Sequence, residues 1–337
     1  MEQREIGKSG IFAPAIGLGC WAIGGGSWWG ENDDALSVAT ICRAFDLGIR
    51  WVDTARVYGF GHSEEVVGRA LKELPRDQVI LSTKCALQWR NKEGEFHFSR
   101  DGREVYRNPS PASIRKDVED SLRTLKTDYI DVLFTHWQCR EYGRVPVSET
   151  MGELLKMKKE GLIRAIGASN VDLRVLKDYV DAGQLDVIQE KCSILDRKPE
   201  QELLPFCEAH GISLQTYSPL EQGLLAGKTP DNYIPKPGEV REGRAWWQPE
   251  GIRLANEMLR SWHGLTEKYG CTLTQLCVRW NSLLSPCVHV LCGARKPQQI
   301  EDTAQALAIP LTREDFLRMR SDADRMDALR REAIQTN

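Results

Sequence analysis

The sequence predicts an α/β protein of the (β/α)8 TIM-barrel class, with an N-terminal β-hairpin and long loops at the C-terminal face. Eight short apolar runs alternate with longer amphipathic segments, which is the rhythm of βα units and a parallel sheet. A length of 337 residues suits one barrel with extended loops. No linker-like composition interrupts the alternation, so residues 1–337 are expected to form a single domain: a hairpin at about 3–13, a barrel at about 15–305 and a helical tail at about 311–331.

The elements follow in order. REIGKSGIFA holds two short runs around Lys8-Ser9-Gly10, a hairpin expected to plug the barrel's N-terminal end. Strands are expected in AIGLGCW from Ala15, GIRWVDT from Gly48, QVILSTK from Gln78, YIDVLFTH from Tyr129, IRAIGAS from Ile163, LDVIQ from Leu185, GISLQTY from Gly211 and CVHVLCG from Cys287. Helices are expected at 33–47, 63–74, 113–125, 148–160, 172–182 and 200–209, several opened by Ser or Asp caps. Connections at 86–112, 137–147 and 219–250 each follow a strand, and their length marks them as lids or binding loops at the active face. The charged tail at 311–331 is expected to pack across the barrel's outside.

Composition narrows the partners. Net charge is −3, which creates no field that would attract nucleic acid or an anionic membrane. The start, MEQREIGKSG, carries charges where a secretion signal needs apolar residues, and no window approaches a membrane span, so a cytoplasmic protein is expected. Ten cysteines with no Cys-x-x-Cys pair read as reduced, mostly buried thiols. Cys287, His289 and Cys292 come nearest to a metal cluster, but they lie in an apolar strand without a second ligand pair, so no metal is expected.

In a barrel, reacting groups stand where strands end, and the polar residues closing the apolar runs include Asp53, Lys84 and His136, with Tyr58 five residues beyond Asp53. A buried lysine beside a carboxylate and a phenol is a proton-donor assembly: the cation is expected to lower the Tyr58 pKa, and Asp53 to serve as its counter-ion. His136 is suited to orient a carbonyl as charge develops on its oxygen. Singly, Asp53 reads rather as a cap, Lys84 as a strand end and His136 as a satisfied core residue; their conjunction reverses this and points to catalysis.

The segments WVDTARVYGFGHSEEVVGRAL, LSTK, DVLFTHW, IRAIGASN and TYSPLEQGLLAGK resemble, in order, the aldo-keto reductase family. The opening GLGCWAIGG is similar to that of bacterial aldehyde and sugar reductases of the family, and the likeness runs from about Gly17 to Thr303. The resemblance implies NADPH-dependent reduction of an aldehyde or ketone by hydride transfer, with a tetrad of Asp53, Tyr58, Lys84 and His136 in which Tyr58 gives the proton. It implies further that Ser169, Asn170 and Gln189 hold the nicotinamide carboxamide, that Tyr217 stacks on the ring, and that Trp21 and Asp53 join the cofactor contacts. Ser218, Leu220, Gln222, Gly223, Leu224 and Lys228 match the pyrophosphate-side loop. In GARKPQQIEDT from Gly293, Arg295 matches the residue that meets a 2′-phosphate, supported by Lys296 and Gln299, whereas Thr303 departs from a frequent asparagine. Helix capping ahead of Asp172 is the other reading of Ser169 and Asn170, and core packing that of Tyr217. Gly17, Gly19 and Ala22 fit G-x-G-x-x-A, but the GGGSWWG that follows cannot open a helix to receive a pyrophosphate.

Trp21, Trp28, Trp29, Trp89, Trp137, Trp246 and Trp247 fall in expected mouth loops, and flat indole faces suit the apolar faces of a sugar; lid packing explains them equally. Trp21, Trp89 and Trp137, with Tyr58 and His136, are the first substrate-contact candidates. Arg56, Arg90 and Arg140 raise the alternative of an anionic substrate or of plain surface charge. The expected partner is a small carbonyl compound, sharpened to a sugar aldehyde such as an oxidised hexose, with neither nucleic acid nor membrane. A non-catalytic NADP sensor and an alcohol dehydrogenase working oxidatively are the rival readings. No coiled coil or repeat announces an oligomer.

Overall fold

The structure, a computed structural model, describes residues 1–335. The first hairpin pairs β1 (Gln3–Glu5) with β2 (Phe12–Pro14). It closes the N-terminal end of the barrel as expected: Ile6, Ile11 and Ala13 pack beneath Trp51, Val132, Phe134, Ala165 and Val187, and the Gly7 N–H donates to Ser213 Oγ at 2.9 Å.

Barrel strands β3 (Ile16–Gly19), β4 (Trp51–Asp53) and β5 (Ile80–Cys85) come next. A small antiparallel sheet of β6 (Leu87–Gln88), β7 (Glu95–Arg100) and β8 (Arg103–Arg107) interrupts them. The barrel then continues through β9 (Ile130–Thr135), β10 (Ile163–Ser169), β11 (Val187–Lys191), β12 (Ser213–Tyr217) and β13 (Val288–Gly293). All eight barrel strands are parallel and close in sequence order, β13 pairing back onto β3. The predicted eight are the observed eight, each within a few residues of its expected span.

Around them lie α1 (Gly26–Trp29), α2 (Asp34–Asp46), α3 (His62–Leu71), α4 (Pro111–Leu125), α5 (Val147–Lys159), α6 (Leu173–Ala182), α7 (Leu203–His210), α8 (Pro249–Ser261), α9 (His263–Tyr269), α10 (Leu273–Ser282), α11 (Pro297–Ala304) and α12 (Arg313–Gln335). Asp33 and Asp172 cap α2 and α6 through their carboxylates, as read. Ser63 and Ser113 do not cap: α3 and α4 start before them, and both hydroxyls turn inward. Outward strand residues such as Leu18, Val52, Leu81, Leu133, Ile166, Leu214 and Val290 meet the helices in one continuous core.

Two connections carry more structure than loops. Residues 86–112 contain the β6–β8 sheet, turned at Asp101 and Gly102, both with positive φ. The segment after β12 ends in Trp246 and Trp247, which are buried in a second core with α8, α10 and α12. Their indoles donate to the carbonyls of Leu195 and Glu221, so they support the lid and do not face the mouth. The tail packs outside as expected: Trp280 of α10 stacks on Phe316 of α12 at 5.1 Å and 9°. His289 and Cys292 point to opposite faces of β13, His289 against Trp51 inside and Cys292 in the outer core, which separates the residues considered for a metal. Among the described residues no helix is long and apolar enough to cross a membrane.

Candidate active site

The C-terminal end of the barrel gathers the strand-end residues. Asp53 closes β4, Lys84 lies near the end of β5, and His136 follows β9, so register alone brings three of the tetrad to one face. Lys84 Nζ donates to Asp53 Oδ2 at 2.6 Å and to the Thr54 carbonyl at 2.8 Å. Ser82 Oγ and Gln189 Nε2 donate to the other Asp53 oxygen at 2.7 and 3.1 Å, so the buried carboxylate has no bare acceptor.

Tyr58 arrives from the loop after β4. Gly59 and Gly24 meet so closely that a Cβ on Gly59 would stand 2.2 Å from the Gly24 carbonyl oxygen, a contact only glycine permits. That contact ties the Tyr58 turn to the Trp21 loop, and the two rings sit 6.0 Å apart. The Lys84 ammonium lies 4.8 Å from the centre of the Tyr58 ring, and His136 meets the ring edge-on at 5.7 Å and 83°.

Burial dominates the protonation states. It holds His136 well below the ordinary imidazole value, helped by repulsion from Lys84, His97 and Arg107. Lys84 is lowered by burial despite Asp53. The expected lowering of the Tyr58 phenol is corrected: burial, then the charge of Asp53 and the neighbouring Cys20, push it well above its ordinary value. The cation that was to favour phenolate is itself neutralised by Asp53 at 2.6 Å.

The residues read as carboxamide contacts form one cluster at the ends of β10, β11 and β12. Ser169 Oγ donates to the Gln189 carbonyl at 2.8 Å, and Asn170 Nδ2 donates to the His136 carbonyl at 3.0 Å. Tyr217 Oη donates to Asn170 Oδ1 at 2.9 Å. Asn170 and Ser218 hold positive φ, a strain that non-glycine residues carry mainly where position matters.

Beyond β12, Leu220 leads into a tight turn in which Gln222 Nε2 donates to Ser218 Oγ at 2.9 Å and Gly223 adopts φ +103°. Leu224 is buried in the second core and supports this turn from below, whereas Lys228 is exposed. At the start of α11, Gln299 Oε1 accepts the Arg295 N–H at 2.9 Å, and Gly293 lies exposed with only the Gly19 carbonyl near an added Cβ. Arg295 Nη1 donates to the carbonyls of Trp29 and Glu31, both at 3.1 Å.

Arg241, which carries no motif signal, reaches from the 219–250 segment to the Gln222 carbonyl at 3.0 Å; burial and then repulsion from Arg241 lower Arg295. Beside these two guanidinium groups, Trp29 Nε1 and Gln222 Oε1 are buried without a hydrogen-bond partner among the described residues. Two neighbouring cations with unpaired buried polar atoms beside them fit the pyrophosphate and ribose of a dinucleotide. Arg295, Gln299, Gln222, Ser218 and Gly223 would hold that end, and Tyr217, Asn170, Ser169 and Gln189 the nicotinamide end.

The aromatic wall is partly as read. Trp21 packs against Trp28 at 6.3 Å and Trp29 at 5.3 Å, and Trp28 against Phe98 of β7 at 5.4 Å. Trp89 sits behind Phe60 at 5.4 Å under the Arg56 guanidinium, and Trp137 faces His97 at 5.3 Å. Of the arginines considered for an anion, Arg56 and Arg90 are engaged by Asp117 at 2.5 and 2.6 Å, and Arg140 is an exposed residue 3.9 Å from Glu95.

A closed parallel barrel with a phenol, a lysine–aspartate pair and an imidazole at its C-terminal mouth defines a carbonyl oxidoreductase. A model of the aldo/keto reductase family matches residues 15–323, and the chain belongs to that family. It is 43% identical over 328 residues to the NADH-specific methylglyoxal reductase of Escherichia coli, covering 97% of this chain and all of that protein. Among solved structures it is similar to the glycerol dehydrogenase of Gluconobacter oxydans, with a TM-score of 0.86 at 34% identity, covering 96% of this chain and 95% of that one. It also resembles an aldo/keto reductase of Klebsiella pneumoniae in complex with NADP and acetate, with a TM-score of 0.71 at 26% identity over 95% of this chain and 94% of that one.

Proposed function

We propose that the protein reduces small aldehydes, sugar aldehydes among them, to alcohols with NADPH, Tyr58 giving the proton. The observation that carries this is the buried Lys84–Asp53 pair at 2.6 Å with its ammonium over the Tyr58 ring and His136 at the ring's edge. Bound nicotinamide supplies the hydride. Tyr58, neutral at physiological pH, is ready to give its proton to the substrate oxygen, and two of the three Lys84 hydrogens are engaged by Asp53 and Thr54, leaving one for the phenol side. His136, also neutral, donates a hydrogen bond to the same oxygen without competing as a strong acid. Asn170 fixes it from behind through the His136 carbonyl. A protonated phenol favours reduction; the oxidative direction, suggested by the dehydrogenase relative, needs phenolate and so alkaline conditions.

NADPH rests on Arg295, with Lys296 and Gln299 beside it. NADH is the second reading, because Arg295 is already engaged by two carbonyls and the Escherichia coli relative is named NADH-specific. The aromatic wall of Trp21, Trp28, Phe98 and Trp137 supports a substrate with an apolar or sugar-like face.

The test follows absorbance of reduced nicotinamide with a panel of aliphatic, aromatic and sugar aldehydes. Tyr58→Phe is expected to lower kcat by about 100- to 10,000-fold while retaining cofactor binding. Tight NADPH binding without turnover on any compound would favour the sensor instead.

A further inference from the structure

Three cationic side chains are buried among the described residues: Lys84, Arg56 and Arg107. Buried charge is normally compensated, and two of the three obey: Lys84 has Asp53, and Arg56 has Asp117 and Asp120. Arg107, only 6% exposed, has no carboxylate within ion-pair distance among the described residues. Its guanidinium donates to His97 Nδ1 through Nε and Nη2, both at 3.2 Å, and to the Gln138 carbonyl at 3.0 Å.

An acid stands at hand but is turned away. Glu95 is the cross-strand partner of Arg107 in the β7–β8 ladder, yet its Oε2 accepts the backbone N–H groups of Arg140 and Glu141 at 2.7 and 3.1 Å. Burial and repulsion from Arg140 lower Arg107, and Glu95, held by those two amides outside ion-pair distance, offsets them only in part. His97 offers no negative charge either: burial and Arg107 hold it neutral down to about pH 4. Because its Nδ1 is the acceptor, its proton sits on Nε2, which becomes a second donor.

The location gives this cation a use. Arg107 lies with its guanidinium 4.5 Å from the Trp137 ring centre, and Trp137 follows His136 directly in the chain. The same ring meets His97 at 5.3 Å. Two of the five Arg107 N–H groups lack a protein acceptor among the described residues, and planar guanidinium donors match the oxygens of a carboxylate or phosphate.

The geometry points to an anion subsite at the mouth, formed by Arg107 with His97 and Trp137, that selects carbonyl substrates carrying a carboxylate or phosphate at the end away from the reacting carbon. This rests on the reductase reading above and names its substrate class.

The test uses the enzyme with its nicotinamide and matched aldehydes: succinic semialdehyde against butanal, and glyceraldehyde 3-phosphate against glyceraldehyde. The wild type is expected to favour the anionic member of at least one pair by about tenfold or more in kcat/KM, and the favoured pair identifies carboxylate or phosphate. Arg107→Met should abolish that preference, mainly through KM, and Arg107→Lys should keep part of it. Equal use of both members by the wild type, or a preference that survives in Arg107→Met, overturns the subsite. Phenylacetate binding by calorimetry reads the subsite without turnover: affinity should fall about tenfold or more in Arg107→Met. If no aldehyde is reduced, Arg107-dependent phenylacetate binding keeps the subsite while the reductase reading falls; equal binding by wild type and variant refutes the subsite.

Discussion

Arg295 illustrates how one side chain holds two possible partners. Its Nη1 ties α11 to the Trp29 and Glu31 carbonyls, while Arg241 stands close enough to repel it. A 2′-phosphate would relieve that repulsion. Arg295→Leu is therefore expected to lower the ratio of NADPH to NADH kcat/KM by about 10- to 100-fold, the worth of a charge-assisted hydrogen bond. Steady-state kinetics with both cofactors reads it, and an unchanged ratio would leave Arg295 only a latch. The tetrad positions were legible because each polar residue ends, or closely follows, an apolar run, and strand ends in a barrel share one face. Arg107 was not legible. Its meaning depends on which carboxylates turn away from it, and that is decided by the register of β7 and β8 and by the chain at Arg140. Arg56 and Arg90 drew attention as possible anion contacts for want of the same information: the Asp117 that engages them lies on α4, some sixty and thirty residues away.

At the scale of elements, α4 clamps the β6–β8 sheet to the barrel through one buried carboxylate. Asp117 accepts Arg56 at 2.5 Å, Arg90 at 2.6 Å and the Ala86 N–H at 2.8 Å. Asp117→Ala would strand the buried Arg56 and release Arg90, so it should destabilise the fold by roughly 3–5 kcal/mol. Urea denaturation measures this, and a loss under 1 kcal/mol would mean that Asp120 takes over the clamp. The β7–β8 hairpin went unread as a hairpin although its signal was present: Asp101-Gly102 between EFHFSR and REVYR is a two-residue turn between strand-like runs. Alternation there is blurred, since β7 is half-exposed along its length and carries no clean apolar face. By contrast, the barrel strands are buried along nearly all their residues, and such continuous apolar runs survive as a pattern in the sequence.

At the scale of the whole molecule, the buried titratable groups set opposing dependences of stability on pH. His97 and His289 are held at about 4 and His136 well below 6.5, so below pH 6.5 the unfolded chain takes up protons that the folded one refuses, and stability falls on acidification. Burial raises Glu64 to about 7 and Glu190 to about 8. For these carboxyls the folded state keeps the proton above pH 4.5 while the unfolded state loses it, so stability falls as pH rises, until the folded pKa is passed. Between 4.5 and 6.5 the two sets work against each other; from 6.5 to about 8 the carboxyls dominate among the described residues, joined above 9 by buried thiols such as Cys20 and Cys292, whose ionisation burial also opposes. Stability should thus peak near pH 6.5 and decline toward pH 8, Glu190 alone contributing about 2 kcal/mol at about 1.4 kcal/mol per pH unit. Glu190 accepts the Val171 N–H at 2.7 Å, a bond that the amide oxygen of Gln can also accept. Glu190→Gln should therefore flatten the decline between pH 6.5 and 8.5 while leaving the acid limb in place. Urea midpoints across that range decide the matter, since parallel curves for variant and wild type would show that Glu190 ionises in the fold at no cost.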